Sequence, residues 1–281
     1  MQHEITQAIP LLDEQGELTQ PGWARRLLPV YDRSKVRGGP LRLKERDCYL
    51  VMNRQCALAL TISDNRYMGM DSISLIDLWE GWQVTRSPMR LMPLGGTGLP
   101  QSSLRGSCAR AGRGYGLLFQ HEGEGRTLHA HMDRFRDGQA LDAQILLTQE
   151  PEESIVMCTP FEKPGQFYFN QKINCMRAQG KVTLGDREYV FDPEDSFAVL
   201  DWGRGVWTCR GTWYWGSASG MVDGVPFGFN IGYGFGDTSA ATENALFYGG
   251  KLHKLSQVTF HIPRKNGREH YLAPWTFDSD D

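Results

Sequence analysis

The chain has 281 residues, of which 40% are hydrophobic and 22% are charged, and its formal net charge is −3. These fractions are those of an ordinary folded protein and exclude a disordered one. The weak negative charge and the lack of a basic block argue against nucleic acid as a partner. No window approaches about 18 uninterrupted apolar residues, so the sequence predicts no membrane span.

Residues 1–46 are polar and rich in turns, with prolines at positions 10, 21, 29 and 40. We interpret them as a lead-in that packs across the surface, with one helical turn around residues 23–28. From residue 47 the pattern changes. Two apolar runs, 48–52 and 56–62, flank a short polar turn and predict a hairpin. The alternating segment 71–78 predicts a further strand.

Residues 88–116 are rich in Gly, Pro, Ser and Arg, and we expect a long loop there. Strands are predicted again over 115–119, 127–132 and 141–147, the last two joined by an Asp-Gly turn. A second set of short strands follows from about residue 154, including 167–169 and 173–176 as separate strands. Helical periodicity is almost absent. Many short strands with regular turns predict a sandwich or a barrel.

The cysteines at positions 48, 56, 108, 158, 175 and 209 contain no C-x-x-C pair and lack the spacing of a zinc finger. The N-terminus has no basic stretch followed by an apolar one, so we expect no signal peptide. The sequence therefore predicts reduced thiols and a cytoplasmic protein.

Four tryptophans lie within fourteen residues, beside Asp201 and Arg204. Tryptophan offers a large apolar area with one N–H donor, and charged groups beside such a wall have shifted pKa values. Two interpretations stay open. In one, the acid and the base act in a cavity whose wall is formed by Trp202, Trp207, Trp213 and Trp215. In the other, the tryptophans form a core and an Asp201–Arg204 pair closes a turn.

Two further polar groups are candidate ligand-binding residues. Asn170, Lys172 and Asn174 alternate along a strand and share one face, where they either hydrogen-bond a ligand or meet solvent. The glycine-rich segment 228–237 carries the second group, Asn230, Tyr233 and Asp237. Glycine in a strand marks either close approach by a ligand or curvature of the sheet.

Signals for a metal or a cofactor are weak. His129 and His131 share a strand face, but the sequence offers no third ligand nearby. The chain contains neither a Gly-x-Ser-x-Gly elbow nor a phosphate-binding G-x-x-x-x-G-K loop. We predict no metal site and no cofactor.

Several segments together resemble the bacterial family known as domain of unknown function 2804: Asp201-Trp-Gly with 213–216, and 58–65, 87–90, 170–176 and 228–239. More distantly, the acid before Trp-Gly and the aromatic strand after it resemble the carotenoid 1,2-hydratase, tocopherol-cyclase and AttH-like group. That group carries a histidine after the acid, where this chain has Trp202.

The resemblance implies an all-β fold of two lipocalin-like antiparallel β-barrel modules packed together after the N-terminal lead-in. The expected division is lead-in 1–46, first module 47–153 and second module 154–281. Whether the native chain continues beyond Asp281 is left open, and so is the oligomeric state.

Two functional hypotheses follow. The first is a protein that binds a lipid, isoprenoid or polyketide-like molecule in an apolar cavity with a few polar anchors. The alternative is a cofactor-free hydratase, isomerase or cyclase in which Asp201, its pKa raised by burial, is the general acid. A guanidinium from Arg204 beside it would lower that pKa and argues against the alternative.

Overall fold

The computed structural model describes residues 2–281, and strands dominate it. Apart from a short 3-10 turn at Arg33–Lys35, these residues contain no helix. The strands, in chain order, are β1 (Ile9–Pro10), β2 (Gly22–Ala24), β3 (Pro29–Val30), β4 (Lys44–Met52), β5 (Cys56–Asp64), β6 (Met68–Asp77), β7 (Trp82–Arg86), β8 (Met89–Leu91), β9 (Gly106–Gly112), β10 (Tyr115–Gly123), β11 (Gly125–Arg136), β12 (Gln139–Thr148), β13 (Ile155–Pro160), β14 (Phe167–Leu184), β15 (Arg187–Phe191), β16 (Phe197–Val206), β17 (Tyr214–Val222), β18 (Val225–Tyr233), β19 (Ala245–Tyr248), β20 (Lys251–Lys254), β21 (Val258–His261), β22 (Arg264–Lys265), β23 (Arg268–Glu269) and β24 (Thr276–Ser279).

The largest sheet has 14 strands and follows the order β7-β6-β5-β4-β16-β14-β12-β11-β10-β9, with β2, β8, β13 and β15 joined at its sides. Its strands share one core, into which apolar side chains point at alternate positions, as in β11. Within residues 2–281 its end strands β7 and β9 are not paired with each other. The sheet is therefore open and not a closed barrel.

A second sheet, β17-β18-β19-β20, packs against the outer face of β14 and β16. A smaller core lies between the two sheets and includes Met157, Cys175, Phe197 and Phe247. Because of this cover, β14 is buried on both faces over its first ten residues. Polar side chains on its outer face are thus removed from water.

Strand β14 is 18 residues long and bends near its middle. Its register with β16 shifts between Ile173 and Met176, where Cys175 has a φ of 63°. This left-handed backbone is the geometry of a β-bulge. The two separate strands expected from the sequence are therefore one bent strand, which pairs with β13 and β16 before the bend and mainly with β12 and β15 after it.

The all-β prediction is confirmed, and so is the first hairpin, which β4 and β5 form. The helical turn expected near residue 23 is wrong, because Gly22–Ala24 pairs with β13 as strand β2. The loop expected over 88–116 contains strands β8 and β9. The division into two modules stays a prediction; the large sheet contains strands from both sides of residue 153.

No helix in residues 2–281 has the length and apolar character needed to cross a bilayer.

Candidate functional site

The site is built on the pairing of β14 with β16, which sets Lys172 directly opposite Asp201. Directly opposed residues share a face of the sheet, and this is the face covered by the second sheet. The Lys172 ammonium lies 2.8 Å from Asp201 Oδ1, and the exposed fractions of the two side chains are 0% and 6%. Strand register therefore creates a buried ion pair.

Two further charged groups complete the cluster. The Arg46 guanidinium on β4 donates a hydrogen bond to Asp201 Oδ2, and its side chain is 32% exposed. Glu243 approaches from the second sheet, with Oε2 at 3.8 Å from Lys172 Nζ. Two cations and two anions balance each other, which is the condition under which buried charge is tolerated.

Aromatic rings enclose the ammonium on the side of the second sheet. Lys172 Nζ lies 5.0 Å from the ring centroid of Trp213 and 5.4 Å from that of Trp215. The two indoles stack at 5.7 Å and 25°. Their N–H groups are held in place: Trp213 donates to Glu243 Oε1 and Trp215 donates to Asn230 Oδ1, each at 2.7 Å. The indole faces thus point at the cation, in the arrangement of a cation–π pair.

Electrostatics fix the charge states of this cluster. Burial by itself raises the pKa of Asp201, but the charges of Arg46 and Lys172 outweigh it and hold the pKa below its ordinary value. Burial likewise opposes the charge of Lys172, yet Asp201, Tyr168 and Glu243 together outweigh it and raise the pKa of the ammonium. Burial, and then the charge of Asp201, raise the pKa of the Tyr168 phenol to about 12. At neutral pH the cluster therefore holds a carboxylate, an ammonium and a neutral phenol.

Asn170 lies between Tyr168 and Lys172 on the same face of β14. Its exposed fraction is 2%, and its Oδ1 has no hydrogen-bond partner among residues 2–281. Asn174, further along, uses its Nδ2 to bind Ser217 Oγ and the carbonyls of Ala218 and Phe229, at 2.8 to 3.2 Å. Asn174 Oδ1 is also without a partner among these residues. Buried polar atoms of this kind call for an explanation.

A cavity of about 630 Å³ opens beside the cluster, and Asp237 lies at its edge. Its other lining residues include Phe161, Gln166, Thr208, Arg210, Gly234 and Gly236. Phe235, between the two glycines, packs its ring at 4.9 Å from Tyr168 and at 5.6 Å from Trp213. The cavity and the charged cluster are thus separated by aromatic side chains.

The structure places Arg204 and Trp202 away from this cluster. Both belong to the opposite face of β16, since successive strand residues alternate in direction. The Arg204 guanidinium lies 4.2 Å above the ring of Trp202, and its Nη1 is 2.8 Å from Asp47 Oδ1. Asp201 and Arg204 therefore do not pair with each other within residues 2–281. Asp201 pairs with Lys172 and Arg46 instead.

The remaining predicted residues divide by position. Trp207 packs at 5.1 Å against Tyr168, beside the cluster. Asn230 holds Trp215 and donates to Glu243, so it supports the wall. Tyr233 is 43% exposed and stacks on Tyr214 at 4.9 Å, on the far side of the second sheet.

Three members of the cluster escaped sequence reasoning. Tyr168 could have been found, because it precedes Asn170 by two residues and so shares its face. Arg46 and Glu243 reach the site from distant parts of the chain through strand register and sheet packing. No local sequence pattern predicts that Arg46 and Glu243 belong to the site.

Comparison with family models decides the assignment of the chain: the model described as domain of unknown function (DUF2804) matches residues 2–281. The chain belongs to the DUF2804 family. The sequence-based recognition of this family is thus confirmed. Among curated proteins the DUF2804 chain has no match.

Solved structures resemble this DUF2804 chain in fold. The crystal structure of a candidate AttH protein from Nitrosomonas europaea is 12% identical, covers 83% of this chain and 75% of its own, and gives a TM-score of 0.50. Kievitone hydratase from Nectria haematococca is 10% identical, with 97% and 83% covered and a TM-score of 0.48. At 12% identity the likeness to the AttH protein shows a shared fold and nothing finer.

Proposed function

We propose that this protein binds an oxygenated apolar small molecule, of the lipid, isoprenoid or polyketide-like class, between its two sheets. The observation that carries the proposal is Asn170, whose buried amide oxygen has no partner among residues 2–281. It lies two positions along β14 from Lys172, whose buried ammonium is covered by two stacked indoles. A ligand with a hydroxyl group could donate to Asn170 Oδ1 and accept from Lys172. Its apolar body would contact Trp213, Trp207 and Tyr168.

The energetics of such a site are adequate for a specific ligand. Removing about 200 Å² of apolar ligand surface from water contributes roughly 5 kcal/mol. One charge-assisted hydrogen bond from Lys172 adds about 1.5 to 3 kcal/mol. The sum of about 6.5 to 8 kcal/mol corresponds to a dissociation constant of about 1 to 20 μM before ordering costs.

The charge states favour binding over catalysis by Asp201. A general acid must carry its proton at the working pH, whereas Arg46 and Lys172 hold the pKa of Asp201 below its ordinary value. The phenol of Tyr168, with a pKa of about 12, is a weak proton donor. Hydration, isomerisation or cyclisation would have to draw its proton from such a group, so the enzyme hypothesis has less support.

Native mass spectrometry of the purified protein tests the proposal directly, through a co-purifying apolar molecule. After extraction, farnesol, palmitate and 1-naphthol should quench tryptophan fluorescence, because indoles form the wall of the site. Lys172→Met should weaken binding of these probes about tenfold or more. A matched control is Lys181→Met on the same strand, whose side chain is 57% exposed; it should leave binding unchanged.

Two results would count against the proposal: no co-purifying molecule together with no binding of any probe, or equal loss of binding in both lysine variants. Asp201→Asn separates the two functional classes. In the folded fraction of a carrier the substitution changes ligand affinity and there is no turnover to lose, whereas in an enzyme that uses this carboxylate it abolishes turnover while binding persists.

A further inference from the structure

The ring of Phe235 lies inside a set of four aromatic side chains, which we call the aromatic box: Phe161, Tyr168, Trp207 and Trp213. The ring centroid of Phe235 is 4.9 Å from that of Tyr168 and 5.3 Å from that of Phe161, both edge to face at 86° and 89°. Trp213 and Trp207 follow at 5.6 and 6.1 Å. Edge-to-face contact at these distances is the favourable geometry for aromatic pairs. The box is therefore shaped for a planar aromatic ring.

Phe235 lies between two glycines in the loop that follows strand β18. Strand β18 ends at Tyr233, and Phe235 makes no backbone hydrogen bond among residues 2–281. Its neighbours Gly234 and Gly236 have φ angles of 91° and 79°. Glycine reaches both signs of φ at little cost, so rotation at these two positions can withdraw the ring without breaking a strand.

The position of the ring connects the cavity with the charged cluster. Gly234 and Gly236 line the cavity of about 630 Å³ on one side of Phe235. On the other side, Tyr168 and Trp213 lie 6.0 and 5.0 Å from Lys172 Nζ. A ring in the place of Phe235 would extend from the cavity toward the ammonium.

A second polar residue borders the same cavity. Gln166 lines the cavity, and its buried Oε1 has no hydrogen-bond partner among residues 2–281. Gln166 Oε1 and Asn170 Oδ1 are thus two buried acceptors without partners among residues 2–281, and each lies two positions from Tyr168 in the chain segment that enters β14. Such acceptors suit a ligand that carries hydroxyl groups.

We propose that Phe235 is a removable plug that occupies the place of the ligand's own ring, and that the ligand class is a planar aromatic compound bearing a hydroxyl group. This inference rests on the proposed function and narrows it. An alicyclic ring would also gain buried area in the box, but it cannot make edge-to-face contacts. The box therefore selects aromatic over alicyclic rings.

Isothermal titration with phenol and cyclohexanol tests the proposal, because the two probes share ring size and hydroxyl group but only phenol is planar and aromatic. Phe235→Ala vacates the box, and phenol should bind this variant on the order of tenfold more tightly than the wild type and than cyclohexanol. Phe235→Leu should bind phenol with intermediate affinity, and it keeps the test valid where the alanine variant does not fold. Phe260→Ala removes a ring outside the box that contacts Tyr233 and Phe277; it should bind like the wild type.

Equal affinity of the Phe235 variants for phenol and cyclohexanol would overturn the aromatic preference. Unchanged phenol affinity on removal of the Phe235 ring would show that Phe235 is part of the wall and not a plug. If either result is found while the wild type still binds farnesol through Lys172, the proposed function stands and only the aromatic plug is wrong. If the wild type binds none of the probes, both proposals are wrong.

Discussion

Replacing Asp201 with Asn should destabilise the protein by about 3 kcal/mol. Breaking a buried ion pair costs about 3 to 5 kcal/mol, because the remaining charge stays in the interior. Here Lys172 is fully buried and loses its partner at 2.8 Å, but Glu243 at 3.8 Å keeps part of the attraction. The expected loss of stability therefore lies at the lower end of this range of about 3 to 5 kcal/mol. Arg46 adds less to this cost than Lys172, since its side chain is 32% exposed and can be hydrated once the carboxylate is gone.

Urea denaturation followed by circular dichroism measures this cost, together with Lys172→Met and the double variant. Lys172→Met should lose only about 1 to 2 kcal/mol, because Asp201 keeps Arg46 as a partner. The double variant removes both charges, so its loss should be about 2 to 3 kcal/mol smaller than the sum of the single losses.

The dependence on pH has a defined sign. The folded pKa of Asp201 lies below its ordinary value of 3.8. Its contribution is therefore fully present above pH 3.8 and is lost as the pH falls through the lower, folded value. The stability difference between wild type and Asp201→Asn should be constant at neutral pH and shrink in strong acid. Additive losses in the double variant, or a difference that grows in acid, would refute the ion pair as the source of the stability.

Three other predictions accompany this one. Asn174→Ala should lower the free energy of unfolding by about 2 to 3 kcal/mol in urea titrations, because it removes three hydrogen bonds that join the two sheets. Thiol titration should find six reactive groups in denaturant but one rapid group, the exposed Cys209, in the native state. Burial raises the pKa of Cys56 and Cys108 to about 12, which keeps them as unreactive thiols; more than two fast native thiols, or fewer than six in denaturant, would contradict this. Lys172→Met, against Lys181→Met, should weaken binding of 1-naphthol about tenfold or more in fluorescence titrations.

The strand content and the local faces were accessible from the sequence because they depend on neighbours along the chain. Period-two alternation gave the common face of Asn170, Lys172 and Asn174, and one hairpin followed from two apolar runs. The same parity argues that Asp201 and Arg204, three positions apart on one strand, point in opposite directions. Their pairing required a turn between them, whereas both lie within the ten-residue strand β16.

The partners of Asp201 were not accessible, because they depend on register between distant strands. Arg46 and Asp201 are 155 positions apart and meet only through the pairing of β4 with β16. The bulge at Cys175 likewise has no composition signal, since its φ of 63° belongs to a residue that is not glycine. The prediction of a closed barrel was wrong for the same reason, because whether the end strands β7 and β9 pair depends on the whole sheet.

The charged cluster has no evident structural necessity, and this is the main physical reason to associate it with a ligand. Replacing a buried ion pair by apolar residues of similar size is often neutral or stabilising. Strand β14 already packs Phe169 and Ile173 into the core on its other face, so an apolar pair in place of Lys172 and Asp201 would meet the needs of the fold. Asn170 Oδ1 has no partner among residues 2–281 even with the cluster present. A group that binds to Lys172 and Asn170 together would explain why charge, amide and indole are assembled where hydrocarbon would suffice.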